Sequence, residues 1–243
     1  MILTAFVDSF KSYVENPIQV IQVDRPCPRC ETRLLTRHGS VLRWVYDIGG
    51  VRDQITVFRL RCRPCSLTAT LLPSFLLPGI RYVLAIVQDA VNAYLDGVGS
   101  YRTVAIMVTG VVLPAEQSVS DELMWISLKP AYQRVDAWVA GVTGLAVESV
   151  RDTAAWLVRL VPTSSIIDHL AVPFEPLATG TSAPAKRAEL VAARVLRDIF
   201  THVRELNPRR LGWIGAWLRC LEAIFGRTPW RGPPQTRAVP RGS

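Results

Sequence analysis

Cys27-Pro28-Arg29-Cys30 and Cys62-Arg63-Pro64-Cys65 hold four of the chain's five cysteines, and the reading of these two pairs decides the fold of the N-terminal third. Each Cys-x-x-Cys sets two thiols on one tight turn, so both sulfurs can point at a single ion. Two such knuckles brought together supply the four thiolates, each about 2.3 Å from the metal, of a tetrahedral structural Zn²⁺ site. The intervening segment is built to bring them together. Val41–Asp47 (VLRWVYD) and Val51–Arg61 (VRDQITVFRLR) are rich in β-branched and aromatic residues, and Ile48-Gly49-Gly50 supplies the turn. A hairpin folding back on itself delivers the second knuckle to the first. The expectation is a zinc ribbon, with Cys27, Cys30, Cys62 and Cys65 closing the shell of one structural ion.

Three other uses of these thiols fit less well. No segment at the N-terminus reads as a signal peptide, so a reducing compartment, and free thiols, are expected. A thioredoxin-like redox site needs one Cys-x-x-Cys opening a helix within a βαβ unit, whereas these two pairs flank strands. Catalytic zinc leaves one position to water, and four cysteines leave none.

A family resemblance rests on the same stretch. PCPRCETRLLTRHGSVLRW followed by VFRLRCRPCSLTATLLPSFLLPGIRY resembles the zinc-ribbon head of bacterial transposase-associated proteins, a mobile-element family of unknown function. In that group a CPxCGS-like knuckle leads into an RHG-like strand. An RCRxC knuckle then precedes a proline-punctuated apolar segment and a helical DNA-binding region. The likeness covers about residues 20 to 110, and it departs from the usual knuckle at Glu31 and Ser66, where glycine is common.

With 243 residues, 49% of them hydrophobic and 20% charged, the chain is long enough to bury a core in one to three small domains. Its net charge is +8, unevenly spread. Residues 1–81 carry 11 Lys and Arg against 6 Asp and Glu, residues 82–180 carry 5 against 10, and residues 181–243 carry 12 against 4. Basic ends flank an acidic middle. Lysine occurs only at Lys11, Lys129 and Lys186, so the positive charge is almost all arginine, whose planar fork suits phosphate and guanine. A GC-rich genome would also favour arginine codons, but it would not cluster them.

The chain divides into a zinc-ribbon domain (1–80), a helical, helix-turn-helix-like domain (81–161), a linker (162–184), a basic αα-hairpin (185–226) and a disordered tail (227–243). The fold class is α+β. Met1–Val23 reads as a short helix or strand packed on the ribbon, with Pro17 as its stop. Within the ribbon Arg29, Arg33, Arg37, Arg43, Arg59, Arg61 and Arg63 belong to a dense basic set, and alternation places Arg59 and Arg61 on one face opposite Phe58 and Leu60. That face is a candidate phosphate surface, against the plainer reading of a solvated side. Leu71–Pro78 reads as an extended linker that packs. A helix from Arg81 to about Leu95, the Asp96–Gly99 turn and a second helix from Tyr101, capped by Ser100, would begin a helix-turn-helix.

The third helix is expected at Leu128–Val139, with Pro130 in its first turn and Val111–Ile126 as an insertion. Tyr132, Gln133 and Arg134 are its groove-facing candidates and Trp138 its core anchor, although the surrounding acidity also suits a plain helical core. Further helices are expected to Val161, and then at Ala185–Leu206 and Arg209–Phe225. Arg187, Arg194, Arg197 and Arg204 form the polar side of the first of this last pair. Cys220 reads as a small buried hydrophobe. The final VPRGS resembles a protease-site scar and carries no functional reading.

The leading expectation is a non-enzymatic, cytoplasmic and nucleoid-associated protein that binds double-stranded DNA. It would hold a DNA end or target site of a mobile element, or recruit a transposase or another element-encoded protein. Strand transfer would need a carboxylate triad on an RNase-H-like alternation of strands and helices, and the pattern after Arg81 is nearly all helical. A protein-interaction adaptor and a transcription regulator are the alternatives. A membrane role is disfavoured because Arg219 and Glu222 interrupt the apolar run LGWIGAWLRCLEAIF.

Overall fold

The β-branched stretch between the knuckles pairs as a hairpin, and every other strand is added to one side of it. The computed structural model describes residues 2–5, 7, 10–15, 17, 26–31, 34–47, 52–97, 103–106, 121–160, 184–202, 212–225 and 230, without the side chains of 2, 121–130, 132, 158, 160 and 184–188. Its strands are β1 (Ile2–Ala5), β2 (Thr36–Tyr46), β3 (Arg52–Arg61) and β4 (Thr68–Pro73). The helices are α1 (Phe10–Glu15), α2 (Leu84–Leu95), α3 (Asp121–Leu160), α4 (Pro184–His202) and α5 (Trp213–Phe225). This is a mixed α+β chain, with its described strands all before α2.

The sheet runs β1-β4-β3-β2, with β1 parallel to β4 and the other pairs antiparallel. β2 and β3 pair from Thr36↔Arg61 to Tyr46↔Arg52, with a bulge between Arg37 and Gly39 that leaves His38 exposed. β4 corrects the expected linker. Ala69, Leu71 and Leu72 are buried, so this segment is a third antiparallel strand, and Pro73 closes it where the next amide, Ser74, takes over by donating to the Ala5 carbonyl (2.7 Å). α1 covers one face: Tyr13 is fully buried, donates its hydroxyl to the Thr56 carbonyl, and packs edge-on against Phe75 at 5.4 Å. Burial pushes the Tyr13 phenol up to about 12, with Arg37 pulling the other way.

α2 begins at Leu84 rather than Arg81 because the preceding backbone is already engaged. Tyr46 N–H donates to the Arg81 carbonyl (2.7 Å), Val83 N–H to Tyr46 (3.0 Å) and Leu84 N–H to Phe75 (2.6 Å). Strand-like pairing therefore holds residues 81–83 out of the helix. The expected stripe follows, with Val83, Ile86, Val87, Ala90 and Val91 buried. Gly97, at φ 70°, ends it.

The expected third helix is not a separate element. Leu128–Val139 lies inside α3, and Pro130 stands in its interior rather than its first turn, although a proline there removes one backbone bond. Residues 121–126, expected as part of an insertion, are helical too, while 107–120 lie outside the described residues. Beyond Pro130 the helix runs on without a break past Val139, because Ala131, Val135, Trp138, Val142, Ala146, Ser149, Thr153 and Leu157 follow one another, buried, at helical spacing. Residues 103–106 form one helical turn, and Ser100 and Tyr101 lie outside the described residues.

Helices fall in both segments expected to form the αα-hairpin, and α4 packs against α5, with Pro184 at the first position of α4. Its arginines are not simply a basic exterior. Arg194 is half-buried and donates through Nε (2.9 Å) and its terminal nitrogen to the Leu95 carbonyl, while Arg197 pairs with Asp96 at 2.6 Å. Two cations thus satisfy the C-terminal end of α2. Gln88 of α2 accepts from the Ile214 amide at 3.3 Å, and Trp213 donates to Asn92 at 2.9 Å, so α2 also holds the start of α5. Cys220 is buried, as expected, and its thiol is pushed up to about 12 by burial.

One residue of the expected disordered tail is docked. Trp230 is 5% exposed, donates its indole N–H to the Pro78 carbonyl at 3.0 Å and lies over Gly141 of α3. A Cβ on Gly141 would sit 2.7 Å from the ring, whereas one on Gly144 would meet nothing within 4 Å. Gly141→Ala should therefore lower stability by about 1–3 kcal/mol through overpacking. Gly144→Ala in the same helix should raise it by up to about 1 kcal/mol through helix propensity. Thermal unfolding of the two variants checks this, and equal shifts would contradict the Trp230 packing.

Candidate metal centre and basic surface

The four-cysteine site is assembled by strand pairing on both sides. The first knuckle is a small antiparallel excursion closed by a Pro26↔Leu34 bridge, with Glu31 N–H donating to the Cys27 carbonyl at 2.8 Å. The second joins β3 to β4 and is closed by Cys62 N–H donating to Leu67 at 2.9 Å. Thr36↔Arg61 is the rung that sets one knuckle against the other, reinforced by the Thr36 hydroxyl donating to the Arg61 carbonyl at 3.1 Å.

Cys27 Sγ lies 3.5 Å from Cys65 Sγ and Cys30 Sγ 3.5 Å from Cys62 Sγ, and all four sulfurs lie within 4.8 Å of one another. A tetrahedron of sulfurs about 2.3 Å from a central ion has edges of about 3.8 Å. The cluster is therefore of metal-site size, and too open for a disulfide, whose sulfurs are about 2.05 Å apart. Cys27 and Cys62 are buried and Cys30 and Cys65 half-buried, so each knuckle turns its first thiol inward.

Electrostatics favours a cation here. Burial raises the Cys27 thiol, but the Arg29 and Cys30 amides and the neighbouring thiols bring it below its ordinary value. Cys62 is held down by the Cys65 amide, yet burial and the other three thiols push it up to about 12. One thiolate keeps the next protonated, and four coexist only around a positive ion.

Glu31 and Ser66 are the positive-φ residues of the chain other than glycine, among those described, at 53° and 56°. Each directly follows the second cysteine of its knuckle, so both turns demand the left-handed conformation that glycine adopts freely.

The expected basic residues fall into separate groups. Arg59 and Arg61 are exposed on β3, an interior strand, while Phe58 and Leu60 are buried on its other face, as alternation requires. Gly39 lies beside Arg59 on β2 and Thr70 and Thr68 flank the pair on β4. Arg29 and Arg63 are exposed in the knuckle turns. Arg37 lies over the Phe58 ring at 4.2 Å, on the α1 side of the sheet. Arg43 is half-buried and donates to the Ile80 carbonyl, and burial, with Arg81 nearby, lowers its pKa. Arg33 and the Tyr132 side chain lie outside the described residues. Gln133 and Arg134 are exposed, but Arg134 donates to the Tyr82 hydroxyl at the hairpin's turn end. Arg61 and Arg52 stand at opposite ends of β3, about 30 Å apart at strand rise, so Arg134 and the Arg59–Arg61 pair do not form one surface.

The left-handed strain gives a direct expectation. Glu31→Gly and Ser66→Gly should each raise stability by about 1 kcal/mol in metal-replete protein, and Ser66→Ala should not. Chemical denaturation checks it, and a loss of stability in both glycine variants would contradict the knuckle geometry.

Among the described residues, no helix is long and apolar enough to cross a membrane. No curated protein and no solved structure matches the chain. Residues 27–104 match a family described as "Domain of unknown function (DUF6431)", a span that takes in both knuckles, β2 to β4 and α2.

Proposed function

We propose that this chain is a non-enzymatic DNA-binding accessory protein of a bacterial mobile element, with one structural Zn²⁺ in its four-cysteine centre. Soft thiolates in a closed tetrahedral set suit zinc, and leave no position for a reacting water. The observation that carries DNA binding is the Arg59–Arg61 pair, exposed on one face of β3, with the knuckle arginines Arg29 and Arg63 also exposed. Strand rise spaces Arg59 and Arg61 about 6.6 Å apart on one face. Arginine forks and the neighbouring hydroxyls of Thr68 and Thr70 are the donors that phosphate oxygens accept. The metal site fixes the strand ends that present them, so the ion acts on DNA only through the fold. The order of elements, with β2, β3 and β4 consecutive and the longer helices after them, also suits a binding role better than strand transfer on an alternating scaffold. Double-stranded DNA is the direct partner in this reading, and a transposase or other element-encoded protein the one it would serve.

Cys27→Ser and Cys62→Ser should each release the metal and melt the sheet, read by metal stoichiometry and circular dichroism. Full zinc retention in both would defeat the centre. Arg59→Ala with Arg61→Ala should weaken duplex binding on every sequence, and shallow the slope of log K against log salt by about 1.8. Unchanged affinity would move the surface elsewhere, and no binding even at low salt would favour the adaptor reading.

A further inference from the structure

At the turn end of the hairpin, far from Arg59 and Arg61, aromatic rings and guanidinium groups alternate along one surface. Leu42, Trp44 and Tyr46 occupy alternate positions of β2, opposite Thr56, Gln54 and Arg52, and so share a face. Leu42 is 64% exposed and Trp44 40%. The Arg52 guanidinium lies 4.0 Å over the Trp44 ring. Tyr46 stacks on Tyr82 at 4.9 Å and 21°, and Arg134 of α3 donates to the Tyr82 hydroxyl with its guanidinium 5.7 Å over that ring. Trp138 meets Tyr82 from the core side at 5.0 Å, so the row rests on a buried anchor. The sequence Trp44, Arg52, Tyr46, Tyr82, Arg134 thus spans β2, β3, the segment before α2 and α3.

Internal packing does not account for the outer part of this row. Trp44 and Leu42 are large apolar side chains left in water on an edge strand, and the guanidinium groups of the row, Arg52 over Trp44 and Arg134 over Tyr82, are both exposed. Rings that accept a flat π-face, interleaved with cations that accept phosphate, match a strand of unpaired nucleotides; a duplex presents its phosphates but hides its base faces.

We propose that Trp44, Arg52, Tyr46, Tyr82 and Arg134 form a track for single-stranded DNA, with Trp44 as the principal stacking residue. The choice of an unpaired strand stands on the row itself, and the choice of DNA over RNA rests on the DNA reading above. The track and the knuckle-end surface are independent sites, because Arg52 and Arg59 are separated along β3 by about 23 Å at strand rise.

The test is fluorescence anisotropy of the full-length, metal-replete chain with a labelled thymine homopolymer of about 20 nucleotides, a uracil homopolymer and a duplex of equal length. Trp44→Ala should weaken thymine-homopolymer binding about tenfold or more while leaving duplex affinity unchanged, and Trp44→Phe should retain most of it. Arg52→Ala should weaken the same binding in part and reduce its salt dependence. Arg59→Ala with Arg61→Ala should do the reverse, losing duplex and keeping single strand. Failure of duplex binding alone would leave the track standing. No binding of either homopolymer, an unchanged affinity in Trp44→Ala, or an equal loss on the duplex would overturn it, and preference for the uracil strand would overturn DNA as its occupant.

Discussion

Strand pairing and sulfur clustering depend on each other at one rung. Thr36 opposite Arg61 is the first pair of the β2–β3 hairpin, and it is also what sets the two knuckles face to face. Without a cation, four thiols this close resist joint ionisation; with one, the mutual repulsion becomes attraction to a shared centre. A sheet of four strands, one of them only Ile2–Ala5, gains most from such a clamp, since small units bury too little surface to hold alone. The cost is visible at Glu31 and Ser66, which adopt the left-handed backbone that the turns impose.

The helices are tied to that sheet by polar caps as much as by apolar contact. Residues 81–83 lend their backbone to β2 before α2 begins, and α2 in turn has its C-terminal carbonyl held by Arg194 and its Gln88 at the head of α5. Trp230 then closes over Gly141 onto Pro78, linking α3 to the segment that follows β4. The buried apolar residues form one cluster from Leu3 to Trp230.

The cysteine spacing makes the four-sulfur cluster legible, because two Cys-x-x-Cys pairs around a β-branched stretch admit few other arrangements. The exposed pair Arg59 and Arg61 followed from period-two alternation. What escaped was decided by partners distant in sequence. β4 reads as a proline-punctuated linker because its second partner, Ile2–Ala5, lies more than sixty residues away in the chain and its closing prolines mask the strand pattern. Pro130 reads as a helix start, but the helix begins at Asp121 and tolerates one lost backbone bond, and the regular stripe from Ala131 to Leu157 carries it past Val139. Arg194 and Arg197 looked like an exposed basic side, and no local pattern shows that the end of α2 lies within their reach. The aromatic row shares that character: Tyr46, Tyr82 and Arg134 meet only once three segments have folded together.

Metal-edge X-ray absorption on the purified chain tests the central claim most directly. The account predicts one zinc per chain with four sulfur neighbours at about 2.3 Å. A folded chain without bound metal, or a metal with nitrogen or oxygen in place of any of the four sulfurs, would contradict it.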